Sequence, residues 1–389
     1  MAVTEVHEES YFSRLGGAIK GVLAGIFLFL AAFPMLFWNE GRAVKRAKAL
    51  EAGEKSVITV KSDKINPAND GKLIHTSGEL ATEDVLTDSQ FNISQKAIML
   101  RRKVEMYQWK EQSSSKKEKQ LGGSVKTTTT YTYSKDWFDK PIESSSFKEA
   151  GHDNPGAFPY KSQVWHAQKV KMNAFTLSEE VIQKIGKSME FQLPEDYKPV
   201  GTSVVTGNTI YVPAGGAGRN PASSPVVGDL RITYTVIYPH TVSIVAEQSA
   251  DTFVAHAIKG DTILLLVDKK ASAEEMFQDA QDANSFMTWL LRGVGFLMMF
   301  AGLSMILKPL SVLADLIPFI GDIIEVGTGI IAFLVALPLT LITIAIAWLF
   351  YRPLIAIPLL IIAGGAIYWL IKKKKAAAAK KKAEVEAAA

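Results

Sequence analysis

Gly21-Val-Leu-Ala-Gly-Ile-Phe-Leu-Phe-Leu-Ala-Ala-Phe-Pro-Met-Leu-Phe-Trp38, followed at once by Asn39-Glu-Gly-Arg42, decides how the chain is built. The apolar run has the length needed to cross the hydrocarbon core of a bilayer. Phe37-Trp38-Asn39-Glu40 offers no small-residue cleavage site, so the run reads as a retained span and not as a signal peptide. Three more runs lie near the other end: Trp289 to Leu307, Gly327 to Phe350 and Leu354 to Ile371. Tyr351-Arg352-Pro353 is the turn between the last two. Trp289, Trp348, Tyr351, Tyr368 and Trp369 sit at run ends, where amphipathic rings prefer the interface. Arg292, one turn inside the second run, is expected to snorkel to that interface.

Between the first and second runs the composition changes. Short β-branched or alternating stretches recur, among them Leu73 to Ser77, Thr127 to Tyr133, Val164 to Met172, Leu230 to Tyr238 and Thr241 to Ala246. A short helix is predicted from Thr176 to about Lys187. The expected fold is therefore an integral membrane α-helical protein with four spans, one N-terminal and three C-terminal. A β-rich α+β extramembrane domain lies between spans 1 and 2.

The boundaries read as a cytoplasmic segment 1–18, spans at 19–38, 327–350 and 353–371, and a β-rich extracytoplasmic or lumenal domain 39–271. A helix over 272–307 runs into the second span, opened by the capping box Ser272-x-x-Glu275. Segment 308–326 is apolar but interrupted by Asp315, Asp322 and Glu325, which fits an amphipathic interfacial or re-entrant stretch. Residues 372–389 form a Lys/Ala-rich cytoplasmic tail.

Sidedness rests on two opposed signals. Lys372, Lys373, Lys374 and Lys375 after the last run argue for a cytoplasmic C-terminus and an outer β domain. Arg42, Lys45, Arg46 and Lys48 after the first run argue the other way. The tail carries the reading, because long domains translocate largely regardless of local charge.

The absence of cysteine excludes disulfide frameworks, thiolate nucleophiles and cysteine metal sites. The six histidines show no metal-ligand spacing, no Gly-x-Ser-x-Gly elbow occurs, and Gly215-Gly-Ala-Gly-Arg219 lacks the ending of a phosphate loop. No catalytic, cofactor-binding or metal residue is assigned. Gln112 to Gln120 and Ala214 to Ser224 read as loops. Arg101-Arg-Lys103 with Tyr107 and Trp109 reads as a solvated strand face or a lipid-headgroup contact; the net charge of +4 is no nucleic-acid signal.

Three sets of residues are candidates for function. Gly17, Gly21 and Gly25, four apart, let a second helix approach closely. Asp315, Asp322 and Glu325 are functional by default if they lie at membrane depth, and ordinary solvated acids if they do not. Lys372 to Lys375 can hold anionic lipid headgroups, each worth about 1 kcal/mol near the surface.

Asn39-Glu-Gly-Arg-Ala43, Leu100-Arg-Arg-Lys-Val-Glu-Met-Tyr-Gln-Trp109, Gly151-His-Asp-Asn-Pro155, Gly228-Asp-Leu-Arg231, Gly260-Asp-Thr-Ile-Leu-Leu-Leu266 and Ala347-Trp-Leu-Phe-Tyr-Arg-Pro-Leu354 resemble, in order, the transmembrane protein 43 (LUMA) family. The resemblance implies four spans, cytoplasmic termini and a lumenal domain. It implies the endoplasmic reticulum and inner nuclear membrane in a eukaryote, with partners such as emerin and lamins, and it carries no catalytic residues. In a bacterium the same architecture belongs in the inner membrane. The function expected is a non-enzymatic multi-pass scaffold that organises membrane proteins or membrane structure. It would act through self-association as a homo-oligomer and through binding by the β-rich domain. The alternative is an oligomeric channel or transporter component.

Overall fold

The computed structural model describes residues 3–358 and 361. The chain divides into two compact units. A β unit takes the chain up to Glu9, Ala49–Gln120 and Ser124–Gln281; a helical unit takes Ser10–Lys48, Leu121–Gly123 and the chain from Asp282.

The helical unit is built on three helices long and apolar enough to cross a membrane. The first, α1, is Tyr11–Ser56. It continues well beyond the apolar run because Arg42 to Lys55 consists almost wholly of good helix formers. Lys55 bonds Glu51 one turn back at 2.5 Å, and Ser56 Oγ donates to the Gly53 carbonyl at the end. A short helix, α2, is the single turn Glu179–Ile182, less than the sequence predicted.

The next helix, α3, is Ala273–Ala314. Ser272 Oγ accepts the Glu275 N–H at 3.1 Å, but the Glu275 carboxylate turns to Lys269, so only half of the capping box forms. The last, α4, is Pro318–Tyr351. The expected segment 308–326 is thus a helix end, a three-residue break and a helix start. Pro318 is the cause: it holds Ile317 in extended backbone and itself opens α4. The chain turns again at Arg352 before Pro353, and residues 353–358 are helical. The rest of the expected fourth span, and the tail with Lys372 to Lys375, lie outside the described residues.

The β unit holds two larger sheets. Its main strands are β1 (Val3–Glu9), β2 (Leu73–Thr82), β3 (Met99–Lys119), β4 (Val125–Phe138), β5 (Gln163–His166), β6 (Val170–Met172), β7 (Phe175–Thr176), β8 (Val204–Thr206), β9 (Thr209–Val212), β10 (Leu230–Ile237), β11 (Thr241–Ser249) and β12 (Thr252–Val254). One sheet runs β1-β4-β3-β10-β9-β8, with β5 also on β3; the other runs β7-β6-β2-β11-β12. The alternation of Leu230, Ile232, Tyr234 and Val236 sends one face of β10 inward, against Leu100, Val104, Phe91 and Phe191.

Gln112 to Gln120 is not a loop: β3 runs to Lys119, paired with β4 from Met106 opposite Phe138 to Lys119 opposite Val125. Its Ser/Lys/Glu composition leaves both faces polar, so alternation was absent, while the Thr127–Thr130 run opposite supplies the strand propensity. Nor do residues 1–18 form a separate segment. Val3–Glu9 is a strand of the β unit, antiparallel to β4 from Val3 opposite Tyr131 to Glu9 opposite Val125.

Candidate functional site

The helical unit gathers its strongest polar groups where the apolar run of α1 ends. Glu40, fully buried, receives two hydrogen bonds from one guanidinium: Arg292 Nε to Oε1 at 2.6 Å and Arg292 Nη2 to Oε2 at 2.9 Å. The Trp348 indole N–H donates to Oε2 at 2.8 Å. One carboxylate therefore ties α1 to α3 and to α4. The guanidinium plane lies over the Trp289 ring at 4.6 Å and faces Trp348 at 5.8 Å.

Two neighbouring residues extend the junction. Asn39, also fully buried, donates to the Thr288 carbonyl at 3.1 Å. Arg42 reaches Asn284 Oδ1 at 3.0 Å, Thr288 Oγ1 at 3.1 Å and Asn39 Oδ1 at 3.3 Å. Asn284 returns a bond to the Ala43 carbonyl at 3.0 Å. Gly41, between them, lets the Tyr351 ring approach so closely that a Cβ would stand 2.6 Å from it.

An ion pair desolvated in this way is stable only with its remaining lone pairs and protons satisfied. Here the carboxylate has three donors and the guanidinium has a fork and an aromatic face. The arrangement fixes the register and spacing of three helices. Among the described residues no group of three or more His, Asp or Glu side chains could hold a metal.

Two of the segments that carry the sequence resemblance, Asn39 to Ala43 and Ala347 to Leu354, meet at this junction. The family model described as Transmembrane protein 43 matches residues 106–353. The chain belongs to that family. It is 36% identical over 365 residues to Transmembrane protein 43 of Mus musculus, covering 90% of each chain. With the Homo sapiens protein the figure is 36% over 370 residues, 92% of this chain and 90% of that one. The Transmembrane protein 43 homolog of Drosophila melanogaster is 32% identical over 355 residues, 87% and 91%. No solved structure matches the chain.

Within this transmembrane protein 43 family member, the residues singled out from sequence divide. Gly25 packs: a Cβ there would meet Gly302 O at 2.8 Å, and a Cβ on Gly302 would stand 2.6 Å from the Phe29 backbone nitrogen. Gly17 and Gly21 have open space where a Cβ would be. Asp315 is not a solvated acid. It is 1% exposed and paired with Arg14, which also donates to the Gly123 carbonyl at 2.6 Å. Glu325 is half exposed and bonded to Lys308 at 2.5 Å; Asp322 is exposed.

Arg292 does not snorkel; Glu40 holds it. Arg42 belongs to the junction through Asn39, Asn284 and Thr288, all of them neutral, so its positive charge stands. Sequence reasoning treated Glu40 and Arg292 separately. The available signal was two opposite charges, each at the polar end of its own apolar run.

In the β unit Arg102 is a buried cation and no part of a solvated face. It donates to Asp88 at 2.6 Å and to the Lys161 carbonyl at 3.0 Å, and Tyr234 donates to the same Asp88 oxygen at 2.6 Å. Burial, then the Asp88 carboxylate, push the Tyr234 phenol far above its ordinary pKa, so it stays a donor. His75, buried, is pushed below the ordinary imidazole value by desolvation, opposed in part by its hydrogen bond with the Ala271 carbonyl at 3.0 Å.

Proposed function

We propose that this chain is a non-enzymatic multi-pass membrane scaffold, with a fourth span over 353–371, that associates with copies of itself and with other membrane proteins. The observation that carries the reading is the three-helix junction at Glu40. It spends the charged groups of the helices on one another and leaves their outer faces apolar: Leu23, Phe27 and Leu30 on α1, Leu290 and Leu297 on α3, Leu334 and Leu341 on α4. Such faces meet lipid tails or other apolar helices. The β unit is then the part offered to partners outside the bilayer, and Lys372 to Lys375 the part offered to anionic headgroups.

The channel reading has less support, because Asp315 and Glu325 are held by Arg14 and Lys308. The test is energy transfer between copies labelled at a single introduced cysteine, Ser114→Cys, in proteoliposomes. Transfer that persists as lipid is added in excess supports self-association. Transfer that falls to the random level on dilution removes the scaffold's oligomeric arm. Ion flux above that of protein-free vesicles, abolished by Asp315→Asn, would replace the scaffold with a channel.

A further inference from the structure

In the helical unit, α1 and α3 touch backbone to backbone at Gly25 and Gly302 and are held again by the Arg14–Asp315 ion pair. Between those two points they part and, with α4, line an open cavity of about 490 Å³. Gly17 and Gly21 form its floor on α1, where nothing fills the space a Cβ would take. Ser304 of α3 lines it, and its hydroxyl oxygen is buried without a hydrogen-bond partner. At the mouth, Lys308 and Glu325 form a half-exposed ion pair, 2.5 Å apart, at the ends of the apolar runs of α3 and α4. A buried hydroxyl with no partner is costly, so such a group calls for an acceptor.

We propose that this cavity binds one phospholipid with a zwitterionic headgroup. Charge complementarity selects that class. Lys308 meets the phosphate and Glu325 meets the ammonium, each exchanging its present partner for an equivalent one on the lipid. An anionic headgroup would satisfy Lys308 but bring no cation for Glu325, whose carboxylate would lose Lys308 to the phosphate and stand beside it. Ser304 lies one helical turn, about 6 Å, further into the apolar layer. That is where the ester region of a lipid follows its phosphate, so the hydroxyl donates to an ester carbonyl. The open glycine floor takes the start of an acyl chain.

The test is native mass spectrometry of the full chain released from detergent after incubation with phosphatidylethanolamine or with phosphatidylglycerol. The expected result is one phosphatidylethanolamine retained per chain, with at least a tenfold preference over phosphatidylglycerol. Gly21→Leu fills the floor and abolishes retention. Gly293→Leu, at a glycine that is equally open but outside the cavity, leaves it intact. Ser304→Ala, the milder change, keeps the fold and weakens retention even if Gly21→Leu fails to fold. The inference is overturned if the unmodified chain retains no lipid, if phosphatidylglycerol is held equally, or if Ser304→Ala and Gly21→Leu retain the lipid like the parent. It is overturned too if cysteines at Gly17 and at a residue within 362–371 cross-link, since the chain itself then fills the cavity.

Discussion

Arg102 sits at an inward position that its own alternation announced. It shares a face with Val104 and Met106, and that face is the core. The periodicity was legible; residue type, which favours solvent for arginine, was given more weight and misled. The compensating partners, Asp88 and Tyr234, lie 14 and 132 positions away along the chain, beyond any local pattern. Asp88→Ala leaves a buried cation unpaired and should cost on the order of 3–5 kcal/mol, read as a lower unfolding temperature of the purified protein. The pair Asp88→Leu with Arg102→Met should recover only part of that loss, because the Tyr234 hydroxyl and the Lys161 carbonyl lose their partners. His75 makes a second prediction. Its folded pKa lies below the unfolded value, so above about pH 6.5 it is neutral in both states and neutral to stability. As pH falls below that value the unfolded chain takes up the proton first, and the fold is destabilised. The unfolding temperature should therefore fall between pH 7 and pH 5, and fall less in His75→Gln.

The three long helices of the described chain were readable from hydropathy, because a run of apolar side chains is a local property. How they are fastened was not. Glu40 and Arg292 are 252 positions apart in sequence, and Trp348 lies further still. Glu40→Ala leaves the Arg292 guanidinium, 13% exposed, without its carboxylate. The expected loss is again on the order of 3–5 kcal/mol, measured by thermal unfolding in detergent. Replacing both with methionine should restore more than half of it. If Glu40→Ala unfolds like the parent, the junction is not what holds the helices. The β3–β4 ribbon illustrates the opposite failure. A strand polar on both faces carries no binary pattern, so its partner alone reveals it. The 14 residues of β4 extend about 46 Å, longer than most strands in compact domains.

For the whole molecule, the sequence distinguished a membrane part from a β-rich part but cut the chain in the wrong places. α1 passes from one unit into the other without a break, and Val3–Glu9 joins the β unit although α1 separates it from the rest. Nothing in Val3-Thr-Glu-Val-His-Glu-Glu9 names its partner, since strand pairing across more than a hundred residues leaves no local trace. The pairing constrains sidedness: strands that share a ladder share an environment. The cysteine-free chain permits a direct check. Val6→Cys with Thr128→Cys, which face each other in the register, should be joined by oxidation or a short bis-maleimide in native membranes. Val6→Cys with Ser94→Cys should not. Failure of the first pair would return residues 3–9 to the side opposite the β unit.

The outer strand β1 also has a consequence for the order of events on the ribosome. Its residues are the first to be made, yet β4 emerges roughly 120 residues later, a delay of about 6–25 s at ordinary translation speeds. The whole of α1 is synthesised inside that interval and is ready to enter the bilayer before β4 exists. An insertion that led with the amino end would carry β1 to the far face, and one that kept the amino end back would send β4 there. Whichever end of α1 leads, a single crossing leaves residues 3–9 on the face opposite β4, so the ladder between β1 and β4 can close only while α1 has not crossed.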